Sequence, residues 1–460
     1  MIDLRPAKSV QGKAELPVSP DLLFMAALGA CAAARKIKVS GVAESDVVNG
    51  IVRTIQSHAV VQLDGTELLI DPQGHNDPGL LLALPESLLP YRVIYLFMGL
   101  GMGKTVTARS ISEKQREDFI ARAKRLGITV EQVQADDMFG LRSTYFDSGI
   151  AESANINEED CAALLAFLFG KGEKLTFTIA DYHLSTPLRQ LANAFGFTLN
   201  SKSNTAEDGG DTIARRMRFL QSKQRGTSDQ SRIFIVETDF SKRDSADGNA
   251  GAPPIDIVIP GDEVLAAALI TLKCLVPKGE LEISNVPTET WASQAVSFMR
   301  KMDCKIAVQD ESKTSFGSRG TVSVKKTDCA GRKIRCVPLY QYVGQLPCMA
   351  VAASFAQGKS VFRDLGALRL ADPDGLEQLE KCLRPLGVRH GEMPDGIVVE
   401  GAKEFDGFDI IEPLPAHMAI AFCVAGLKCM GKTAIAGEAV FERWPKFEQM
   451  INEICEFRNK

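Results

Sequence analysis

The stretch from Pro347 to Gly401, PCMAVAASFAQGKSVFRDLGALRLADPDGLEQLEKCLRPLGVRHGEMPDGIVVEG, decides the fold. Its first part, Cys348 to Ala356, is small and apolar with few polar breaks, the pattern of a helix buried on most sides. Gly358 closes that helix, and Lys359 to Arg363 reads as a short strand. A loop carrying Asp372 and Asp374 follows. Leu376, Leu379, Cys382, Leu383 and Leu386 then recur at helical spacing, which predicts a second helix with one apolar face. Gly387 stops it, and a pair of strands follows around the turn at Pro394, Asp395 and Gly396. The unit is helix, strand, helix, strand, strand.

That unit recurs, and the recurrence is the strongest structural signal in the chain. Further copies run from Leu22 to Ile55, Tyr95 to Val130, Cys161 to Leu199, Ala266 to Ile306 and Met418 to Ile454. Each has an apolar helix, a Gly or Lys-Gly step, a strand and an amphipathic helix. An ordinary α/β chain also alternates, but it has no reason to repeat the glycine step at one place in six copies.

At 460 residues a single core would be oversized, so two domains of about 200 residues are expected. The expected fold is α/β, with three units in each domain. Residues 14–250 would form the first domain, and residues 1–13 with 251–460 the second. The polar stretch from Ser241 to Pro254 would carry the crossover, and Asp136 to Asn157 reads as irregular. Asp21, after the turn at Pro17 to Pro20, is a candidate cap for the first helix.

Composition narrows the function. The net charge of −5 and the lack of a basic block argue against nucleic acid as a partner. The longest apolar runs, such as Cys161 to Phe169, are too short to span a membrane. The opening MIDLRPAKSV lacks an apolar targeting core. Eleven scattered cysteines, an odd number, point to reduced thiols in a cytoplasm. Cys329 and Cys336 stand too far from other ligands to suggest zinc.

Six units, three to a domain, resemble the enolpyruvyl transferase family, and within it the branch that acts on shikimate 3-phosphate. Three stretches carry the resemblance. Gly261 to Thr290 looks like the family's G-D-x-S-x-A-x-F-x-x-A segment and its following strand. Leu346 to Val388 looks like the segment holding its K-E-S-D-R loop, and Ala416 to Gln449 like the segment beginning D-H-R. The match is good over most of residues 255–455 and weak over residues 15–200. It implies transfer of the enolpyruvyl group of phosphoenolpyruvate to a hydroxyl of shikimate 3-phosphate, within aromatic biosynthesis. It implies no metal and no organic cofactor. The site would lie in a cleft between two closing domains, where a small anionic metabolite binds. A protein partner stays open.

The same resemblance assigns site positions, and this chain departs at most of them. Two anionic substrates need Lys and Arg around them, and the reaction needs groups that move a proton. In place of the family's P-G-S-K-S, Pro17 leads to Val18, Ser19, Pro20 and Asp21. The S-S-Q becomes Asn157, Glu158 and Glu159; S-R-P becomes Ser185, Thr186 and Pro187. P-T-R-T becomes Pro287, Thr288, Glu289 and Thr290, and the catalytic Asp falls at Gly344. The K-E-S-D-R loop is Ala371, Asp372, Pro373, Asp374 and Gly375, and D-H-R is Pro415, Ala416 and His417. The late Lys falls at Glu442, beside Arg443.

The positions left to carry chemistry under the resemblance are Asp372, Asp374 and His417 as catalytic groups. Ser19, Arg92, Ser185, Arg369 and Arg443 would bind substrate. A solvated loop and a helix cap account for Asp372 and Asp374 better than a catalytic pair does, and packing at a helix start accounts for His417. An acid in place of a phosphate-binding cation repels a dianion. The expectation is a diverged transferase with altered or lost transfer. The alternative is a non-catalytic family member that binds a ligand or assembles with a partner.

Gly426 to Thr433, GLKCMGKT, matches the phosphate-loop pattern G-x-x-x-x-G-K-[ST]. That loop works where a strand precedes it and a helix follows, so that backbone N–H groups face the phosphates. Here the repeat places a helix before and a strand after, and Gly103 to Thr105 falls at the same step. Neither should bind ATP or GTP. Titration calorimetry is expected to show no nucleotide binding, and Lys432→Ala to change stability only modestly. Micromolar binding lost on that substitution would reverse the reading.

Overall fold

The computed structural model describes residues 1–72, 81–83, 92–108, 113–135, 138–153, 156, 158–180, 187–203, 233–240, 253–289, 294–326, 329–336, 344–365 and 375–458. The repeated unit is present. Helix Pro20–Ala33 is followed by strand Ile37–Ser40, helix Asp46–Gln56 and the hairpin Val60–Asp64 with Glu67–Asp71. The same order starts again at helices Arg92–Gly101, Glu158–Lys171, Glu263–Leu275 and Leu346–Ser354. The sixth unit, from helix Ala416–Lys428, ends on the single strand Cys455–Phe457. Its partner is Ala7–Val10, so the start of the chain completes the last unit.

The two helices of a unit differ because their sequences do. Apart from Asp21 in its first turn, Pro20–Ala33 is apolar all round, and it is buried at every position except Cys31. Asp46–Gln56 buries only Val47, Val48, Ile51 and Ile55, one face of a helix. Ser45 caps it, its Oγ accepting from the Val48 N–H at 3.2 Å. The apolar helices gather at two centres: Pro20–Ala33, Arg92–Gly101 and Glu158–Lys171 pack on one another, as do Glu263–Leu275, Leu346–Ser354 and Ala416–Lys428. Glycine permits the closest of these approaches. A Cβ on Gly101 would lie 2.1 Å from the Phe167 carbonyl oxygen, and one on Gly170 would lie 2.2 Å from that of Met98.

The irregular segment expected over Asp136 to Asn157 holds a strand, Met138–Phe146, and a short helix, Ser148–Ser153. The strand is the unit's fifth element and pairs with both Thr105–Ala108 and Ile128–Ala135. The polar residues Arg142, Ser143 and Thr144 in its middle hide it from an apolar-periodicity reading.

Sheet pairing explains how the halves are joined. Several units accept a parallel strand from the segment just before their first helix: Leu81–Ala83 joins Thr105–Ala108, Lys333–Arg335 joins Lys359–Arg363, and Asp409–Ile410 joins Thr433–Ile435. For the first and fourth units these strands are exchanged. Ile255–Ile257 runs parallel to Ile37–Val39, and Gly12–Glu15 runs parallel to Leu281–Ser284. Buried apolar residues therefore form one cluster from Val18 to Ile259 and another from Ile2 to Leu16 and Val264 to Cys455. The clusters change hands at Leu16/Val18, a few residues past the expected edge at 13/14, and at Ile259/Val264, about ten past the expected edge at 250/251. Most of the expected crossover, residues 241–252, lies outside the described residues.

One further element joins the two cores. The hairpin Lys305–Thr314 with Gly317–Lys326 belongs to the second core's sheet, yet Phe316 at its tip is fully buried in the first core. The tip is also bonded there: Ser315 N–H donates to the Val258 carbonyl at 2.9 Å, and Val258 N–H to Ser315 Oγ at 3.0 Å. Phe316→Ala is expected to cost about 3–5 kcal/mol, as for other buried phenylalanines. Urea unfolding would show it as a lowered midpoint, and an unchanged midpoint would contradict the plug.

Candidate functional site

The chain passes between the two cores twice, side by side. Val18 bridges Gly261, Ser19 N–H donates to the Pro260 carbonyl at 3.1 Å, and Asp262 N–H donates to the Pro17 carbonyl at 2.9 Å. A buried helix starts immediately after each crossing, Pro20–Ala33 and Glu263–Leu275. Two helix N-termini thus lie close together, and three acids stand on them: Asp21, Asp262 and Glu263. Unpaired N–H groups at a helix start favour negative charge. Asp262 is the cap of the second helix, its Oδ1 accepting from Val264 N–H at 2.8 Å and Leu265 N–H at 3.1 Å. In the first helix the expected cap, Asp21, is already inside the first turn. Ser19 takes that place, its Oγ facing Leu22 N–H at 3.4 Å.

Arg443, at the end of helix Glu438–Arg443, reaches into this acidic group. Its NH2 lies 2.5 Å from Asp21 Oδ2 and 2.9 Å from Asp262 Oδ2, and its Nε donates to Asp262 Oδ2 at 3.0 Å. Trp444 Nε1 donates to the same oxygen at 3.1 Å. Ser19 Oγ donates to Glu263 Oε2 at 2.9 Å, and the Tyr95 hydroxyl donates to the Asp21 carbonyl at 2.7 Å. Asp21 and Asp262 are wholly buried and Arg443 is 6% exposed, so the group is dry.

Acceptors outnumber donors here. Asp21 Oδ1 is buried without a hydrogen-bond partner. Burial pushes the Glu263 carboxyl up to about 8, with the charges of Asp21 and Asp262 adding to the shift. Glu263 therefore keeps its proton at neutral pH. Burial also raises Asp21, against the pull of Arg443. Burial works against the Arg443 charge, but Asp21 and Asp262 outweigh it and hold the guanidinium protonated. A cleft of about 920 Å³ opens beside the group, walled by Pro17, Val42, Phe441, Trp444 and Phe447. Its rim carries Glu15, Glu44 and Asp46 against Lys446.

The structure brings three of the expected site residues to this place. Ser19 and Arg443 belong to the buried group itself. His417, in the first turn of helix Ala416–Lys428, is close enough to feel Arg443: burial, then that charge, holds its imidazole down to about 4. Gly344 lies in the turn before helix Leu346–Ser354 and offers no side chain. Glu289 sits near the hairpin tip, accepting from Ser318 Oγ at 3.4 Å. Arg92 opens the helix Arg92–Gly101, but its side chain is outside the described residues, as are Ser185, Arg369, Asp372 and Asp374 altogether. Both Gly-Lys-Thr steps follow a helix and enter a strand, and Lys104 is buried. Among the described residues no group of three or more His, Cys, Asp or Glu side chains could hold a metal ion.

Sequence reading missed the acids that hold Arg443. Asp262 stood in a recognised Gly-Asp pair and Asp21 was read as a cap, but nothing in the sequence set them beside residue 443. The signal was their placement: each follows a proline or glycine turn at the start of a largely apolar, buried helix, where a buried acid must find a partner.

Two domains of three such units, crossed twice and enclosing a cleft at the crossing, define the enolpyruvyl transferase fold. The EPSP synthase of Acinetobacter baumannii superposes on the chain with a TM-score of 0.63 at 14% identity, covering 98% of each chain. The enolpyruvyl transferase NikO of Streptomyces tendae does so with a TM-score of 0.63 at 12% identity, covering 99% of this chain and 98% of that one. The sequence adds a narrower likeness. Residues 235–451 match the family model of EPSP synthase (3-phosphoshikimate 1-carboxyvinyltransferase). The 3-phosphoshikimate 1-carboxyvinyltransferase of Desulfitobacterium hafniense is 31% identical over 210 residues, which is 45% of this chain and 48% of that protein. That of Alkaliphilus oremlandii is 25% identical over 208 residues, 45% of this chain and 49% of that protein. The match thus spans about half the length of these relatives. Residues 235–451 are thus similar in sequence to the EPSP synthases, and the chain as a whole has the enolpyruvyl transferase fold.

The raised Glu263 carboxyl has a measurable consequence. A carboxyl whose folded value lies above its unfolded one stabilises the fold below the unfolded value, and that stability is lost as pH rises through the folded value. The window runs from about 4.5 to about 8. Glu263→Gln, which mimics the protonated acid, should flatten the loss. The melting temperature of the variant relative to the native protein should rise steadily between pH 5 and 8. A difference that does not change with pH would show that Glu263 is ionised in the fold.

Proposed function

We propose that this protein is a diverged relative of 3-phosphoshikimate 1-carboxyvinyltransferase in which transfer of enolpyruvate from phosphoenolpyruvate is altered or lost. The observation that carries this reading is the commitment of Arg443. The guanidinium nearest the family's late lysine is bonded to Asp21 and Asp262 and buried with them. It is not free to meet a phosphate or a carboxylate. Other positions that the resemblance assigns to the site hold Glu442, Gly344 and Glu289, none of which is a cation. His417, held neutral at pH 7, and the protonated Glu263 are the groups near Arg443 that could move a proton. No metal or organic cofactor enters this reading. A reducing cytoplasm suits a chain with eleven scattered cysteines.

A second reading has its own observation. Phe316 and the Arg443 group both bind one domain into the other. Chains that work by closing domains over their ligands need those contacts to be weak. A scaffold so fastened suits a protein that holds a ligand or a protein partner without turning it over.

The test is phosphate release from the purified protein with phosphoenolpyruvate and shikimate 3-phosphate, beside a curated relative. Losing a charge-assisted contact costs about 1.5–3 kcal/mol, and each 1.4 kcal/mol is about tenfold in rate. Two such losses place the expected turnover at least about a hundredfold below the relative. Turnover near that of the relative, and lost on His417→Ala, would show that relocated residues do the work. Thermal shift with each ligand separates the two readings: a shift without turnover supports a binding protein.

A further inference from the structure

The hairpin whose tip plugs the first core has an unusual base. Cys304 directly precedes its first strand, Lys305–Thr314, and Cys329 follows shortly after its second, Gly317–Lys326. The two sulfurs lie 3.3 Å apart. This contact is held by the backbone around it. Ala330 N–H donates to the Met302 carbonyl at 3.0 Å, and Arg332 Nε to the Lys301 carbonyl at 2.7 Å. Arg332 also pairs with Asp303. Cys304 N–H in turn donates to the Met299 carbonyl at 3.0 Å. On the other side Lys305 pairs with Lys326, so the two segments are tied on both sides of the thiols.

We propose that Cys304 and Cys329 are a reversible oxidation site, forming a disulfide across the base of this hairpin when the protein meets a peroxide. The thiols differ in access. Cys329 is half-buried, whereas Cys304 and its other neighbour, Cys274, are buried. A hydrogen bond with Cys274, and burial with it, push the Cys304 thiol up, so it is not the first to react. Peroxide oxidises Cys329 Sγ to a sulfenic acid and leaves one water. Cys304 Sγ then attacks that sulfur, the S–O bond breaks, and the departing hydroxide takes the Cys304 proton as a second water. Two thiols and one peroxide give one disulfide and two waters.

The site bears on the rest of the molecule through the hairpin. Its far end carries Phe316 into the first core and bonds Val258 there. A covalent link at the base restrains the element that ties one domain to the other, and a reductant releases it. This inference does not depend on whether the protein turns over phosphoenolpyruvate.

The experiment uses the full chain treated with hydrogen peroxide, alkylated and mapped by mass spectrometry. The expected product is a peptide pair linked through Cys304 and Cys329, lighter by two hydrogens and restored by dithiothreitol. Cys329→Ser should lose the link and Cys274→Ser should keep it. Hydrogen exchange across residues 305–326 should slow in the oxidised native protein and not in peroxide-treated Cys329→Ser. A link between Cys274 and Cys304 would overturn the proposal. So would over-oxidation of Cys329 without a link, or a link that leaves exchange in the hairpin unchanged. Mapping on the native chain keeps the test decisive even if a serine variant folds poorly.

Discussion

One buried guanidinium holds the two crossings together. Arg443 joins Asp21, on the helix that starts the first domain, to Asp262, on the helix that starts the second core's large segment. Each acid would be costly alone, because an unpaired buried charge costs several kcal/mol. The two helix starts lower that cost by turning N–H groups toward the carboxylates. The arrangement is needed because the strands are exchanged. Gly12–Glu15 leaves with the second sheet and Ile255–Ile257 with the first, so both connections must run through the same narrow place. Glu263 fits there by keeping its proton.

That constraint sets what the crossing can do. A hinge in a closing enzyme has weak, exposed contacts that make and break with the ligand. Here the crossing is dry, bonded across both strands and fixed by an ion group. The hairpin adds a second fastening, with Phe316 buried in the opposite core. Both sit between the halves, so any relative motion must break an apolar contact or expose buried charge. The thiols at the hairpin base stand on the same load path, which is why oxidation there reaches the other domain.

Much of the fold was legible because it repeats. The apolar helices of the units are read from composition, and the amphipathic ones from leucine and valine spacing, as with Leu376, Leu379 and Leu383, all buried. Strand Met138–Phe146 was not legible, since Arg142 and Ser143 interrupt its pattern. Strand exchange was only half visible. The return of the N-terminus to the second domain follows from the count of units, but the reach of Ile255–Ile257 into the first sheet is a pairing between residues far apart in sequence. The site was less legible still. Arg443 and Ser19 were picked as ligand-binding groups, and their neighbours are long-range. Only the fold shows that Arg443 faces carboxylates 181 and 422 residues away.

The charge at the crossing carries the functional argument one step further. Three carboxyl groups, Asp21, Asp262 and Glu263, meet the single Arg443 guanidinium, so the buried group has no spare positive charge to offer an anion. The rim acids Glu15, Glu44 and Asp46 act in the same direction, weakened by solvent, and among the described residues lining the cleft only Lys446 and the paired Arg443 oppose them. Under the proposed reading, this cleft is a poor place to gather two anions. The same acids disfavour an uncharged ligand far less, and the apolar wall of Trp444, Phe441 and Phe447 offers such a ligand a surface to lie on.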